Sequence, residues 1–288
     1  MTNKTKILDA DDKHERQLVF DRKVEEFSVD LNEVLEYPPV AISCGTYKEN
    51  NFQGKIVEYE IPLGTDGNFA FTQAYPKVGK SFFISLLVSA YQGGSNKYCG
   101  KIKGNRKKRK IIHFDTEQGK FHVSKLAKRT MVMNNKKKDD NYHIYALRTM
   151  DYKERLQFIE YVLYEKFDKK NIGLIIIDGV ADLCSDVNSM EESNFVVQKL
   201  MEWTSVLNCN LHTIIHQNFG TNKATGNLGS ALEKKAELQI SLEKNSVHQG
   251  HINVECKRSR NRGFETFSFT INDNGLPEFV KDDYEFLE

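Results

Sequence analysis

From Gly67 onward the chain alternates short apolar runs with longer stretches of helical period, and this alternation limits the fold more than any other feature. The runs are GNFAFTQ (67–73), KIIHFD (110–115), HIYAL (143–147), GLIIIDG (173–179) and LHTIIHQ (211–217). Each is too short for a buried helix, and each reads as a strand covered on both faces. The stretches between them predict helices from Lys80 to about Gln92, through Lys125 and Met131, from Asp151 to about Phe167, and from Glu191 to Leu207. Strands and helices in this rhythm give an α/β fold: a mostly parallel central sheet with helices on both faces. After Gly229 three strands follow in quick succession, LQISLEK, HINVECK and FETFSFTI, which predicts an antiparallel C-terminal extension on one edge.

Upstream, residues 1–35 are highly charged with a loose apolar pattern (Val19, Phe20, Val24, Phe27), and read as a mobile, partly helical arm. Residues 36–288 form the main domain, entered by a turn at Glu36-Tyr37-Pro38-Pro39. Two strands, VAISCG and KIVEYEIPL, are expected to cover the entrance to the core. The 41 basic and 40 acidic side chains leave a net charge of +1, so any contact with nucleic acid has to be local. Five scattered cysteines without a CxxC read as reduced thiols of a cytoplasmic protein. No apolar run approaches the roughly 18 residues of a membrane span, and no membrane partner is expected.

The sharpest motif follows the first core strand. Ala74-Tyr75-Pro76-Lys77-Val78-Gly79-Lys80-Ser81 fits the P-loop form [AG]-x4-G-K-[ST]. Its backbone N–H groups curl around a β-phosphate, Lys80 reaches the β- and γ-phosphates, and the Ser81 hydroxyl takes Mg2+. The helix that starts there turns its positive end toward the anion. The motif therefore predicts ATP and Mg2+ as ligands. Asp178 closes the most apolar strand, at the sheet edge where open α/β folds bind ligands, and is the second candidate for the metal.

Together these motifs resemble the RecA-like P-loop ATPases over about residues 60–272, and within them the branch of hexameric helicases typified by RepA and DnaB. Phe114-Asp115-Thr116-Glu117-Gln118 carries the resemblance furthest. The resemblance implies that Glu117 activates the attacking water, a role suited to a carboxylate expected on the strand next to the P-loop strand. His216-Gln217-Asn218 resembles the family's sensor segment, with Gln217 the residue in contact with the γ-phosphate. The loop FGTNKATGNLGS (219–230), whose only charge is Lys223, resembles the mobile loop that follows it. Lys257-Arg258-Ser259-Arg260-Asn261-Arg262-Gly263 resembles the turn that inserts a finger into a neighbour's ATP site. Lys257 and Arg260 are its first candidates and Arg262 the next, and the competing reading is a solvated basic turn.

His212 and His216 form H-x3-H, yet on a strand they stand ~13 Å apart, too far to share zinc. The basic patch GNRKKRK (104–110) reads either as a phosphate grip or as a solvated loop, and NNKKKDDN (134–141) as an exposed turn.

The resemblance implies an oligomeric ATPase, a ring or hexamer of the chain with itself. It would act on single-stranded DNA in replication or mobilisation, as a helicase or translocase does. The alternative is a non-motor regulatory ATPase whose nucleotide state controls a protein partner, engaged through the N-terminal arm. A small-molecule kinase fits poorly, because no arginine-rich lid segment is evident.

Overall fold

The computed structural model describes residues 10–33, 36–51, 53–94, 96–218, 221 and 223–280. Expectations for residues 1–9, 34 and 35 of the arm, and for Phe219, Gly220 and Asn222 of the loop, lie outside them. The chain divides into two units, Met1–Tyr37 and Pro38–Glu288. In the first, helix α1 spans Ala10–Phe27. This continuous 18-residue helix agrees with the expectation of a partly helical arm. Residues 10–27 contain no glycine or proline and are rich in helix formers, which is reason enough. Val19, Phe20, Val24 and Phe27 are all exposed on it.

The second unit is built on a nine-stranded sheet. Its strands are β3 (Phe69–Ala74), β5 (Lys110–Asp115), β6 (Tyr142–Ala146), β7 (Ile172–Asp178), β8 (Asn210–His216), β9 (Leu238–Lys244), β10 (Ile252–Ser259), β11 (Phe267–Ile271) and β12 (Pro277–Phe279). They lie in the order β12-β11-β10-β9-β3-β8-β7-β5-β6. The six from β9 to β6 are parallel, and β10, β11 and β12 extend the β9 edge antiparallel. The mostly parallel sheet with a late antiparallel extension is as the sequence predicts. However, LQISLEK (β9) runs parallel to β3 instead of joining the extension, which gains β12. Strand β5, expected next to β3, is separated from it by β8 and β7. Helices α2 (Lys80–Tyr91), α4 (Lys120–Met133), α5 (Tyr152–Tyr161) and α6 (Met190–Leu207) link the parallel strands.

Each central strand feeds two cores by strict alternation. Ala70 and Ala74 of β3, Ile111 of β5, Leu174 and Ile176 of β7 and Ile214 of β8 join the cluster that packs on α2. Phe69, Phe71, Ile112, Phe114, Ile175, Ile177, Leu211 and Ile215 join the cluster under α6, centred on Trp203. That period of two is why the strands read as continuous apolar runs.

Strands β1 (Val40–Asn50) and β2 (Ile56–Thr65) do not join the large sheet. They pair with β4 (Ile102–Gly104) in a separate antiparallel sheet of order β2-β1-β4. Part of the lysine-rich 100–110 segment is therefore strand, preceded by the short helix α3 (Asn96–Cys99). Its arginines are structural: Arg109 forks onto Asp66 at 2.8 and 2.9 Å, and Arg106 forks onto Asp139. The 134–141 tract, expected as an exposed turn, is tied down by that Asp139 pair and by Asn134, whose Nδ2 donates to Ser89 and Gln92. Helix α7 (Gly226–Lys235) begins inside the glycine-rich segment expected to be a loop. The five cysteines are free thiols, and among the described residues no helix is long and apolar enough to cross a membrane.

Candidate nucleotide site

Strand β3 delivers Ala74, buried at the sheet edge, directly into the turn Tyr75–Gly79. Two residues of that turn have left-handed backbones, Lys77 at φ 61° and Gly79 at φ 103°. Gly79 is needed twice over, because a Cβ there would also stand 2.7 Å from Ile252 Cδ1. No side chain caps the first turn of α2, so its orphan N–H groups open toward a ligand. A cavity of about 820 Å3 lies there, lined by Lys77 to Phe82, Glu117, Gln118 and Asp178. The β9–β10 turn also lines it, with Asn245, Gln249 and His251, as do Ile271 and Ile252, the last packed against Gly79.

The registers explain which side chains meet. Asp115 and Asp178 are paired across β5 and β7, and both follow the parity of Ile111 and Ile176, the α2 side. Strand β8 lies between β3 and β7, so its last residue, His216, ends between the P-loop and Asp178. Lys80 Nζ stands 3.0 Å from the His216 ring nitrogens. His216 Nε2 stands 3.2 Å from Glu117 Oε1. With the hydrogen on Nε2, the ammonium can donate to Nδ1 and the Nε2–H to the carboxylate. His216 thus bridges Lys80 and Glu117, two residues of the cavity lining.

Charge is unevenly matched here. The His216 hydrogen bond and then the Lys80 charge hold Glu117 below the usual glutamate range, against burial. Asp178 goes the other way, raised by burial first and then by the charges of Asp115 and Glu117. Asp115 is raised by burial as well, although its Oδ1 accepts from the N–H groups of Glu117 and Gln118 at 3.1 and 2.7 Å. Those two bonds set the turn that carries Glu117. On the opposite side Thr116 Oγ1 stands 2.8 Å from Asp182 Oδ2 and 2.9 and 3.0 Å from the Asp178 and Gly179 carbonyl oxygens, any one of which can take its single hydrogen.

The sequence-derived candidates divide cleanly. Lys77, Val78, Gly79, Lys80, Ser81, Glu117 and Asp178 all line the cavity, and Ala74, Tyr75 and Pro76 form the strand end and turn leading into it. Gln217 does not line it. That residue is buried, with its backbone N–H on Ala74 O and a bridge to Ala224. His216 occupies the position expected of Gln217, and strand parity was the signal that could have found it. His212, Ile214 and His216 face one way and Gln217 the other. His212 lies deeper, bonded to Thr72 Oγ1 at 2.8 Å.

Lys257 and Arg260 lie away from the cavity altogether. In the β9–β10 ladder Ile252 faces Lys244 at the cavity end, and Ser259 faces Leu238 at the opposite edge of the sheet. Lys257 pairs with Glu255 at 2.7 Å and Glu243 at 3.7 Å. Arg260 Nη2 donates to the Lys235 carbonyl at 2.8 Å, and Arg262 stacks over Tyr47, 4.6 Å from the ring centre. No protein-family model matches the chain, and no curated protein matches it.

Proposed function

We propose that this chain is a RecA-like ATPase that binds ATP with Mg2+ and hydrolyses it. The observation that carries the reading is the convergence of the P-loop lysine, a bridging histidine and Glu117 at one cavity with Ser81 and Asp178. The cavity is large enough for a nucleotide, and Ile252 and Ile271 give it an apolar part. Lys80 and the N–H groups at the start of α2 would hold the phosphates. The residues present suit a divalent cation: a serine hydroxyl and a buried carboxylate line one cavity, and Asp178 is crowded by three more carboxylates, Asp115, Glu117 and Asp182, whose repulsion a cation would relieve. Such an ion would be held by Ser81 and Asp178 and would neutralise charge on the phosphate oxygens.

Incoming phosphates replace His216 as the partner of Lys80. His216 and Glu117 are then left together on the γ-phosphate side. Glu117, kept ionised by its neighbours, takes the proton of the attacking water, and His216 orients it. Calorimetry with Mg·ATP tests the reading. The wild type should bind, and Lys80→Ala should lose binding because the phosphates lose their cation. Normal binding by that variant would remove the P-loop from the site.

The substrate of the ATPase has two readings. A self-assembled ring acting on single-stranded DNA follows from the family resemblance. The regulatory reading, control of a protein partner, gains from the ion pairs that consume Arg106 and Arg109 of the basic patch and from a loop whose only charged residue is Lys223. Hydrolysis measured with and without single-stranded DNA separates them: strong stimulation supports the motor, none the regulator.

A further inference from the structure

Helix α4 starts three residues after Glu117, and one of its side chains reaches across to the other half of the site. Arg129 Nη1 stands 3.2 Å from the carbonyl oxygen of Ser81 and 3.1 Å from Ser85 Oγ. Ser85 Oγ in turn donates to the same Ser81 carbonyl at 2.8 Å, closing a triangle. The guanidinium carbon also lies 3.9 Å over the Phe82 ring. Ser85 is fully buried, while Ser81 and Arg129 are half-buried. Among the described residues no carboxylate forms an ion pair with Arg129, and burial alone lowers its pKa. A cation removed from water with no counter-ion is costly unless its donors are well used. Here they are spent on the peptide of the P-loop serine.

We propose that Arg129 is a positioning residue for Ser81, holding the metal-binding end of the P-loop in register with the α4 segment that follows Glu117. The inference rests on the nucleotide reading above and goes beyond it. The Glu117 turn is fixed to β5 by Asp115, and α4 runs on from that turn. The Ser81 turn is fixed to α4 by Arg129. Besides the clamp, the two turns are linked through the Lys80–His216–Glu117 bridge, which incoming phosphates would break, and through the packing of α2 on α4 and the sheet. A displacement of about an ångström at a reacting group is costly. The effect should fall on the metal requirement, since Lys80 and its phosphate contacts are untouched. A fork with a flat face over Phe82 is geometry that lysine does not reproduce.

The test is a Mg2+ titration of ATP hydrolysis and, separately, of ATP binding by the full chain. Arg129→Ala should raise the Mg2+ concentration for half-maximal hydrolysis by roughly ten- to a hundred-fold, the worth of a hydrogen bond from a charged group. Binding of ATP in EDTA should stay near the wild-type value. Arg129→Lys should recover little, whereas millimolar guanidinium added to Arg129→Ala should restore part of the Mg2+ response. A merely structural arginine would not behave in this way. Ser85→Ala breaks the triangle while keeping its volume, and should shift the same titration in the same direction. It covers the case in which Arg129→Ala fails to fold. Wild-type Mg2+ dependence in folded Arg129→Ala, or in Ser85→Ala, overturns the clamp while leaving the nucleotide reading intact. A wild-type chain that binds no Mg·ATP overturns both.

Discussion

Glu117 shows how one side chain's chemistry is set by two neighbours. His216 and Lys80 together outweigh burial, so the carboxylate is held below its ordinary pKa of 4.5. A depressed folded-state pKa contributes stability that is present above the ordinary value and lost as pH falls through the depressed one. In the proposed mechanism the same shift keeps the base ionised at neutral pH. Glu117→Gln preserves shape and hydrogen-bonding capacity and removes the base. It should bind ATP normally and hydrolyse it more slowly by about 10² to 10⁴. Near-wild-type single-turnover rates would take Glu117 out of the mechanism. At this scale the site was legible wherever it depends on local spacing. The P-loop, Glu117 and Asp178 could be named from the sequence because a few consecutive residues fix their geometry. His216 was passed over for Gln217, because the choice between adjacent residues at a strand end needs the strand's facing, which a motif does not carry.

The elements were legible for a related reason, and the misses have physical causes. Strands β5 and β9 begin and end where their apolar runs do. Helix α7 was missed because Gly226 and Gly229 read as loop, whereas Gly229 is there for close packing: a Cβ would stand 2.5 Å from the Ala224 carbonyl carbon. The arginines of residues 104–110 read as a basic patch because their partners, Asp66 and Asp139, lie far off in sequence. Helix α5 was expected to start at Asp151, and its start carries a full capping box. Asp151 Oδ1 accepts from the N–H groups of Lys153 and Glu154 at 2.8 and 2.9 Å, and Glu154 Oε2 accepts from Asp151 N–H at 2.9 Å. Asp151→Ala should therefore cost about 1 kcal/mol. The urea midpoint should fall with an unchanged slope, and an unchanged midpoint would mean that α5 is held by tertiary packing alone.

At the scale of the whole molecule, the sheet's directionality decides how the basic turn 257–262 can act. Strand β10 runs antiparallel to β9 and carries the chain from the cavity to the opposite sheet edge before Arg260 is reached. Arg260 there donates to the Lys235 carbonyl and is out of reach of its own P-loop. A role as a finger is thus open to it only in a neighbour's site, in the ring that the family resemblance implies. On that reading Arg260→Ala binds ATP with near-normal affinity and loses hydrolysis by roughly 10³-fold or more, the scale for such arginines. Lys80→Ala is inactive for the complementary reason: its phosphate site is broken and its finger intact. In a head-to-tail assembly every interface takes a P-loop from one chain and a finger from the next. Random one-to-one mixing of the two variants should leave roughly a quarter of interfaces with both parts intact. ATPase activity should then rise well above that of either variant alone, in step with mixed assembly followed by light scattering. Two results refute the finger. One is a demonstrated mixed oligomer without recovery; the other is a strictly monomeric wild type with full turnover. Either would leave Arg260 as a helix-end clamp on the Lys235 carbonyl, and the turn as the solvated basic loop that its sequence equally describes.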